Sequence, residues 1–203
     1  MSLPRRRPRK RRLAARIALP AQAPYRGHVW TYDFVFDRTD GRAVLKLLVV
    51  LDEYTRECHG ITVGRHLGSE AVITALEGLF ERLGAPAYLR SDNGGEFIAA
   101  QMKDWIAGRG TQTMYIKPGQ PWQNGYAESS IGKFRDERLN EEVFCGEKHA
   151  RVVVERWRRH YNEQRPHSAL AYQTPAEAAL ISFLASTEIS LPVTQEGANS
   201  SHI

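Results

Sequence analysis

Three apolar segments, Val29 to Phe36, Arg42 to Leu51 and Glu57 to Val63, follow one another with only turn-length intervals between them. No crossover helix fits into Asp37-Arg38-Thr39-Asp40-Gly41 or into the interval after Leu51, so neighbouring segments must run antiparallel. Their β-branched and aromatic content reads as strands, and the order predicts a meander. The pattern then changes. Ser69 is expected to cap an amphipathic helix to Leu83, with Val72, Ala75, Leu76, Leu79 and Phe80 on one face and Gly84 as its stop. Ala87 to Arg90 reads as a short strand, Phe97 to Ala107 as a helix with Ile98, Met102, Trp105 and Ile106 inward, and Thr111 to Ile116 as another strand. After a Pro118–Pro121 loop, helices are expected from about Asn124 to Asn140, over Val152 to Tyr161, and from Pro175 at a first helical position. A meander followed by alternating helix and strand implies an α/β fold, a mixed sheet with helices packed on it. In such a sheet the first strand and the next parallel strand can present their ends to one point.

Charge is distributed unevenly along the chain. The formal net charge is +5, yet Arg5, Arg6, Arg7, Arg9, Lys10, Arg11, Arg12 and Arg16 carry +8 with no acid among them. The residues that follow therefore sum to −3. Such a run reads as an arm that touches nucleic acid, or else as a solvated tail. Its 203 residues suffice for one well-buried domain with an appendage. The expected organisation is a basic arm and linker over 1–27, a core over 28–140, a C-terminal helical extension over 141–190 and a disordered tail over 191–203. Cys58 and Cys145 form no CxxC, which argues for a reducing compartment and against a disulfide framework. No apolar run approaches membrane-spanning length.

Three carboxylates stand out. Asp33 lies inside Trp30-Thr31-Tyr32-Asp33-Phe34-Val35-Phe36. A carboxylate in mid-strand is disfavoured by β-propensity and by desolvation, and a bound cation would offset that cost. The bland alternatives are an edge strand or an ion pair with Arg42 or Lys46. Asp92 closes the short strand in Ser91-Asp92-Asn93-Gly94-Gly95-Glu96-Phe97. Asp-Asn-Gly is also a common turn sequence, which suits either role. Glu128 falls in the first turns of a helix, where a surface Glu is ordinary. Arg135 shares its helix face and could take a phosphate, or pair with Asp136 or Glu142 instead. Together the three acids suggest one site that holds divalent metal and acts on phosphodiesters, since hard cations want oxygen ligands and can clamp both oxygens of an in-line displacement. GxSxG, Walker A, GxGxxG and HExxH patterns are all missing. Trp157, Arg158, Arg159, His160 and Tyr161 suit either phosphate contact or a helix with one packed and one solvated face.

The chain resembles the DDE transposases of bacterial insertion sequences, specifically the second-reading-frame product with a retroviral-integrase-like core. The resemblance rests on Trp30-Thr31-Tyr32-Asp33, Val50-Leu51-Asp52-Glu53-Tyr54-Thr55-Arg56, the Ser91–Phe97 and Pro121–Glu128 segments, Phe134-Arg135-Asp136-Glu137, Tyr161-Asn162-Glu163-Gln164-Arg165-Pro166-His167 and Thr174-Pro175-Ala176-Glu177. It implies an RNase H-like, mixed five-stranded sheet flanked by helices. It implies Asp33, Asp92 and Glu128 as catalytic triad and metal ligands, with two Mg²⁺ or Mn²⁺ ions per site. Arg135, Lys133, Asn124 and the arm residues Arg5, Arg6, Arg7, Arg9, Lys10, Arg11 and Arg12 are the expected DNA contacts. The implied activity is metal-dependent strand cleavage and 3′-hydroxyl strand transfer without a covalent protein–DNA intermediate. A homo-oligomer on DNA, in a bacterial cytoplasm beside the nucleoid, is implied as well. Relatives usually carry helix-turn-helix-like segments ahead of the core. Here the chain starts at the arm, so truncation or a separate polypeptide from an upstream frame is expected. Ser130-Ile131 replaces a common Phe-Asn, a packing change. The rival readings are a DNA-binding remnant without activity and a simple RNase H-like nuclease.

Overall fold

The computed structural model describes residues 23–92, 94–115, 125–139 and 142–188, and of Ile98, Gly125 to Glu128, Ser130, Arg138 and Glu188 the backbone alone. The basic arm, the 116–121 stretch, Asn124 and the 191–203 tail lie outside the described residues. Strands β1 (Val29–Arg38), β2 (Val44–Asp52) and β3 (Cys58–Gly64) form the expected antiparallel meander. β2 begins at Val44 rather than Arg42, because Arg42 takes a left-handed turn conformation with φ 62°. β4 (Tyr88–Ser91) and β5 (Gln112–Tyr115) add in parallel on the other side of β1, in the order β3-β2-β1-β4-β5. β1 is therefore central.

Strand alternation sorts the core into two layers. Trp30 and Tyr32 of β1 with Leu48 and Val50 of β2 face α1 (Ser69–Leu83) and α3 (Ala100–Gly108), meeting Val72, Leu76, Phe80, Met102 and Ile106. Val35, Leu47, Val49 and Leu51 face the other way. They bury Ile131 and Phe134 of α4 (Gly125–Phe134) and Val153, Val154, Trp157 and Tyr161 of α5 (Glu147–Glu163). β2 is thus apolar on both faces, as a strand between two helical layers must be. Each such side chain contributes about 1.5–3 kcal/mol on burial.

The helices depart from the sequence pattern in three places. The Phe97–Ala107 helix is two, α2 (Gly95–Ile98) and α3, parted at Ala99, whose ψ of 141° leaves the helical region. The break uncouples the turn that inserts Phe97 from the helix that buries Met102 and Ile106. Ser69 does not cap α1; Gly68 holds that position, with no side-chain cap. The helix expected to Asn140 ends at Phe134 and passes into a π-helical turn, Arg135–Leu139. Glu137 ties that turn down by accepting from Arg165 and from Trp157 Nε1. By contrast, Gly84 stops α1 with φ 84° as expected. Thr174 opens α6 (Pro175–Glu188) with a reciprocal capping box: its Oγ1 accepts from Glu177 N at 3.2 Å, and Glu177 Oε2 accepts from Thr174 N at 2.8 Å.

Two motifs prove to be fasteners. Asp52 accepts from the N–H groups of Gly27, Tyr54 and Thr55 and from the Thr55 hydroxyl, at 2.7–3.0 Å, fixing the turn into β3. Asn162 pins α5 to the head of β3, accepting from Cys58 N at 2.8 Å and donating to Cys58 O at 2.9 Å. Trp157 and Tyr161 are buried, while Arg158 and Arg159 both pair with Glu155. That segment therefore has one packed and one solvated face, with Arg159 and His160 on the solvated one. Among the described residues no helix is long and apolar enough to cross a membrane.

His59 lies against Trp30, ring centroids 4.4 Å apart, and neither ring nitrogen has a hydrogen-bond partner. Burial, then the charges of Arg26, Arg82 and Arg158, push its pKa from 6.5 down to about 3. Glu57, 3.7 Å from Nδ1, favours the proton but is outweighed. The unfolded chain takes up this proton near 6.5 and the folded one does not. Stability from His59 is thus whole above that pH and is lost as pH falls toward 3. At pH 5 the expected loss is about 2 kcal/mol. Thermal melts between pH 7 and pH 5 should show a fall in Tm that is reduced in His59→Phe; an equal fall in both proteins would clear His59 of the effect.

Candidate active site

Asp33 stands in the middle of β1, opposite Val49 of β2. It is half-buried, and its Oδ1 accepts from Phe34 N at 2.7 Å. β1 is flanked by β2 and β4, so this is no edge strand. Lys46 stands opposite Phe36, on the other face of the sheet, where it pairs with Glu96.

The β1–β4 ladder pairs Val29 with Tyr88, Trp30 with Leu89 and Thr31 with Arg90. Carried on at the same offset, it sets Ser91 beside Tyr32 and Asp92 beside Asp33. The ladder itself ends at Thr31 and Arg90; continued with neighbouring strands about 4.8 Å apart, it would bring the two acids to the same height, on the face that alternation gives both. Asp92 is exposed, just past the end of β4. Its Oδ1 accepts from Gly94 N at 2.8 Å, as the turn reading of this residue expects. Gly94 is required for space and not for a left-handed φ. Its φ is −55°, but a Cβ there would lie 3.0 Å from Asp92 Oδ1 and 3.3 Å from Phe97 Cδ2.

Glu128 lies in the first half of α4. That helix is anchored through Ile131 and Phe134 in the cluster that holds Val35 and Val49, the face of the sheet to which Asp33 belongs. The Glu128 side chain is outside the described residues, and among the described residues no three His, Cys, Asp or Glu side chains group as metal ligands. Arg135 is exposed where the π-helical turn begins. Lys133 is half-buried, and burial followed by the charges of Arg165 and Arg56 holds its ammonium pKa below the usual range. Lys133 is therefore one of several cations on that side. Asn124 and the arm are outside the described residues.

Sequence reasoning missed the support beneath the site. Arg90 Nη1 donates to both carboxylate oxygens of Glu53 at 2.9 Å, and both side chains are buried. Burial raises the Glu53 carboxyl to about 7 against the pull of Arg90 and Arg56. The pair lies under the parallel seam, one face-step before the Asp33–Asp92 level, since Arg90 neighbours Thr31. A charged residue at the end of an apolar strand was the available signal, the same oddity that marked Asp33.

Comparison with known proteins bears on the family and the fold. The chain matches two family descriptions, each an integrase core domain, over residues 23–121 and 109–175. It is 42% identical over 163 residues to an insertion element IS407 protein of 31.7 kDa from Burkholderia multivorans, covering 80% of this chain and 58% of that one. It is 41% identical over 150 residues to an insertion element IS476 protein of 39.2 kDa from Xanthomonas euvesicatoria, covering 74% of this chain and 43% of that one. The chain thus spans about half the length of these relatives. Among solved structures, the catalytic core domain of HTLV-2 integrase in complex with magnesium, in its dimeric form, superposes with a TM-score of 0.59 at 14% identity, covering 78% of this chain and 99% of that one. The catalytic core domain of BIV integrase gives 0.61 at 17% identity, covering 79% and 99%. A chain of a simian T-cell lymphotropic virus intasome gives 0.64 at 14% identity, covering 90% of this chain and 61% of that one. At such identities these structures establish the fold, a mixed five-stranded sheet flanked by helices in the RNase H-like arrangement.

Proposed function

This chain belongs to the integrase core domain family, and we propose that it is the catalytic core of an insertion-element transposase. The activity is that of a polynucleotidyl transferase. Water attacks a phosphodiester and a 3′-hydroxyl leaves; that hydroxyl then attacks a second phosphodiester, displacing its 3′-oxygen. No bond to protein forms, so neither step needs a nucleophilic side chain. The observation that carries this reading is the parallel β1–β4 register, which points Asp33 and the turn of Asp92 just past β4 toward one level, on the sheet face that packs α4, the helix of Glu128.

In this reading Asp33, Asp92 and Glu128 hold two Mg²⁺ or Mn²⁺ ions. The donor set is all oxygen, which suits hard cations, and a bound cation accounts for a half-buried carboxylate in an apolar strand. Such ions supply charge neutralisation at the phosphodiester and a lowered pKa for the attacking water. The remaining work is positioning. Asp33 is held by the β1–β2 ladder, Asp92 by its turn, and Glu128 by the packing of α4. Arg135 is exposed where it can take a phosphate flanking the scissile one. Lys133, Asn124 and the basic arm add charge along the DNA. Assembly is as a homo-oligomer on element ends.

A strand-transfer assay on a pre-cleaved DNA end tests this. Joined product in Mn²⁺ is expected. Hydrolysis without joining would mark a simple nuclease, and binding without either product would mark a DNA-binding remnant.

A further inference from the structure

We propose that Lys46 and Glu96 form a latch that sets Asp92 against Asp33 from the opposite face of the sheet. The proposal rests on the reading of Asp33 and Asp92 as one metal site. Lys46 stands on β2 opposite Phe36, and its side chain is only 11% exposed. Its ammonium donates to Glu96 and to Leu67 O at 3.1 Å, and sits 3.8 Å from the centroid of the Phe34 ring. Glu96 belongs to α2, directly after the Gly94-Gly95 step that follows the Asp92 turn. The next residue, Phe97, is 1% exposed and stacks on Phe34 at 4.8 Å with 16° between the planes. It also meets Tyr32 edge-on at 4.6 Å. Tyr32 and Phe34 are the residues on either side of Asp33.

The chain leaving Asp92 is thus gripped at once by both neighbours of Asp33. Two adjacent glycines would otherwise leave that turn loose. Lys46 is nearly buried while Glu96 is about a third exposed, so solvent weakens the attraction and the pair is a modest source of net stability; a defined geometry is the more direct return. Hydrogen bonding to Lys46 holds the Glu96 carboxyl below the usual carboxylate range. Lys46 and Glu96 are positioning residues and touch no substrate.

The test measures the Mn²⁺ concentration for half-maximal joining of a pre-cleaved end by the full chain, alongside DNA affinity and a thermal melt. Lys46→Met and Glu96→Gln should each raise that concentration about 10–100-fold, the usual effect of losing a partner behind a metal ligand, with DNA affinity unchanged. Lys46→Arg should recover most of the loss. A folded Lys46→Met with the wild-type Mn²⁺ requirement overturns the proposal, as does a loss of joining at unchanged Mn²⁺ requirement. If Lys46→Met does not fold, Glu96→Gln, which alters the more exposed partner, decides alone by the same criteria. Asp92→Asn separates the two readings: if it joins DNA like the wild type, the metal site is wrong, whereas a dead Asp92→Asn beside an unaffected Lys46→Met leaves the site standing and removes only the latch.

Discussion

Asp33→Asn, Asp92→Asn and Glu128→Gln are each expected to abolish Mn²⁺-dependent strand joining, a loss on the order of a thousandfold or more. Metal contributes several kcal/mol of charge stabilisation, and each 1.36 kcal/mol is a factor of about ten in rate. Each substitution keeps the shape of the side chain and removes the anionic oxygen that a hard cation requires. Asp92→Asn is the most informative, because the bond accepted from Gly94 N survives in the amide. A dead but well-folded variant there separates metal binding from turn formation. Near-wild-type joining by any one of the three would remove that residue from the site.

Deleting residues 1–16 is expected to weaken duplex binding and flatten its salt dependence. The eight basic residues lost carry +8, and what remains sums to −3. Each lost phosphate contact lowers the log–log slope by about 0.9, so full engagement of the arm would flatten it by roughly 7. Fluorescence titrations from low to moderate salt measure the slope directly. An unchanged slope in the deletion would mean that the arm is solvated and that the core carries the DNA affinity despite its sign.

Much of this architecture was legible in the sequence because its signals are local. The meander followed from intervals too short for a crossover, and β2 from an apolar run unbroken over Leu47 to Leu51. Gly84 and Thr174-Pro175 marked helix ends that the backbone observes. The misses concern what lies far apart in the chain. The break at Ala99 serves Phe97, which packs on β1 residues some sixty positions away; a helical periodicity ignores such a demand. The π-helical turn after Phe134 answers to Arg165 and Trp157, again distant partners. At the candidate site, Asp33 was conspicuous for its apolar surroundings, and the turn around Asp92 was readable from its glycines. What points the two toward one level is the β1–β4 register, which no local pattern encodes. The Glu53–Arg90 pair and the Lys46–Glu96 contact escaped for the same reason: each joins residues from separate strands and loops.

Thermal melts of wild type and Asp92→Asn, in EDTA and in Mn²⁺ at neutral pH, test the central claim that Asp33, Asp92 and Glu128 converge on one metal site. Converging carboxylates repel when no cation lies between them. Metal binds the folded site rather than the dispersed ligands of the unfolded chain, and stabilises it by mass action. The account predicts that Mn²⁺ raises the Tm of wild type. It predicts that Asp92→Asn melts higher than wild type in EDTA and gains little from Mn²⁺. A variant that is less stable in EDTA and responds fully to Mn²⁺ would contradict it, leaving Asp92 as a turn residue and no more.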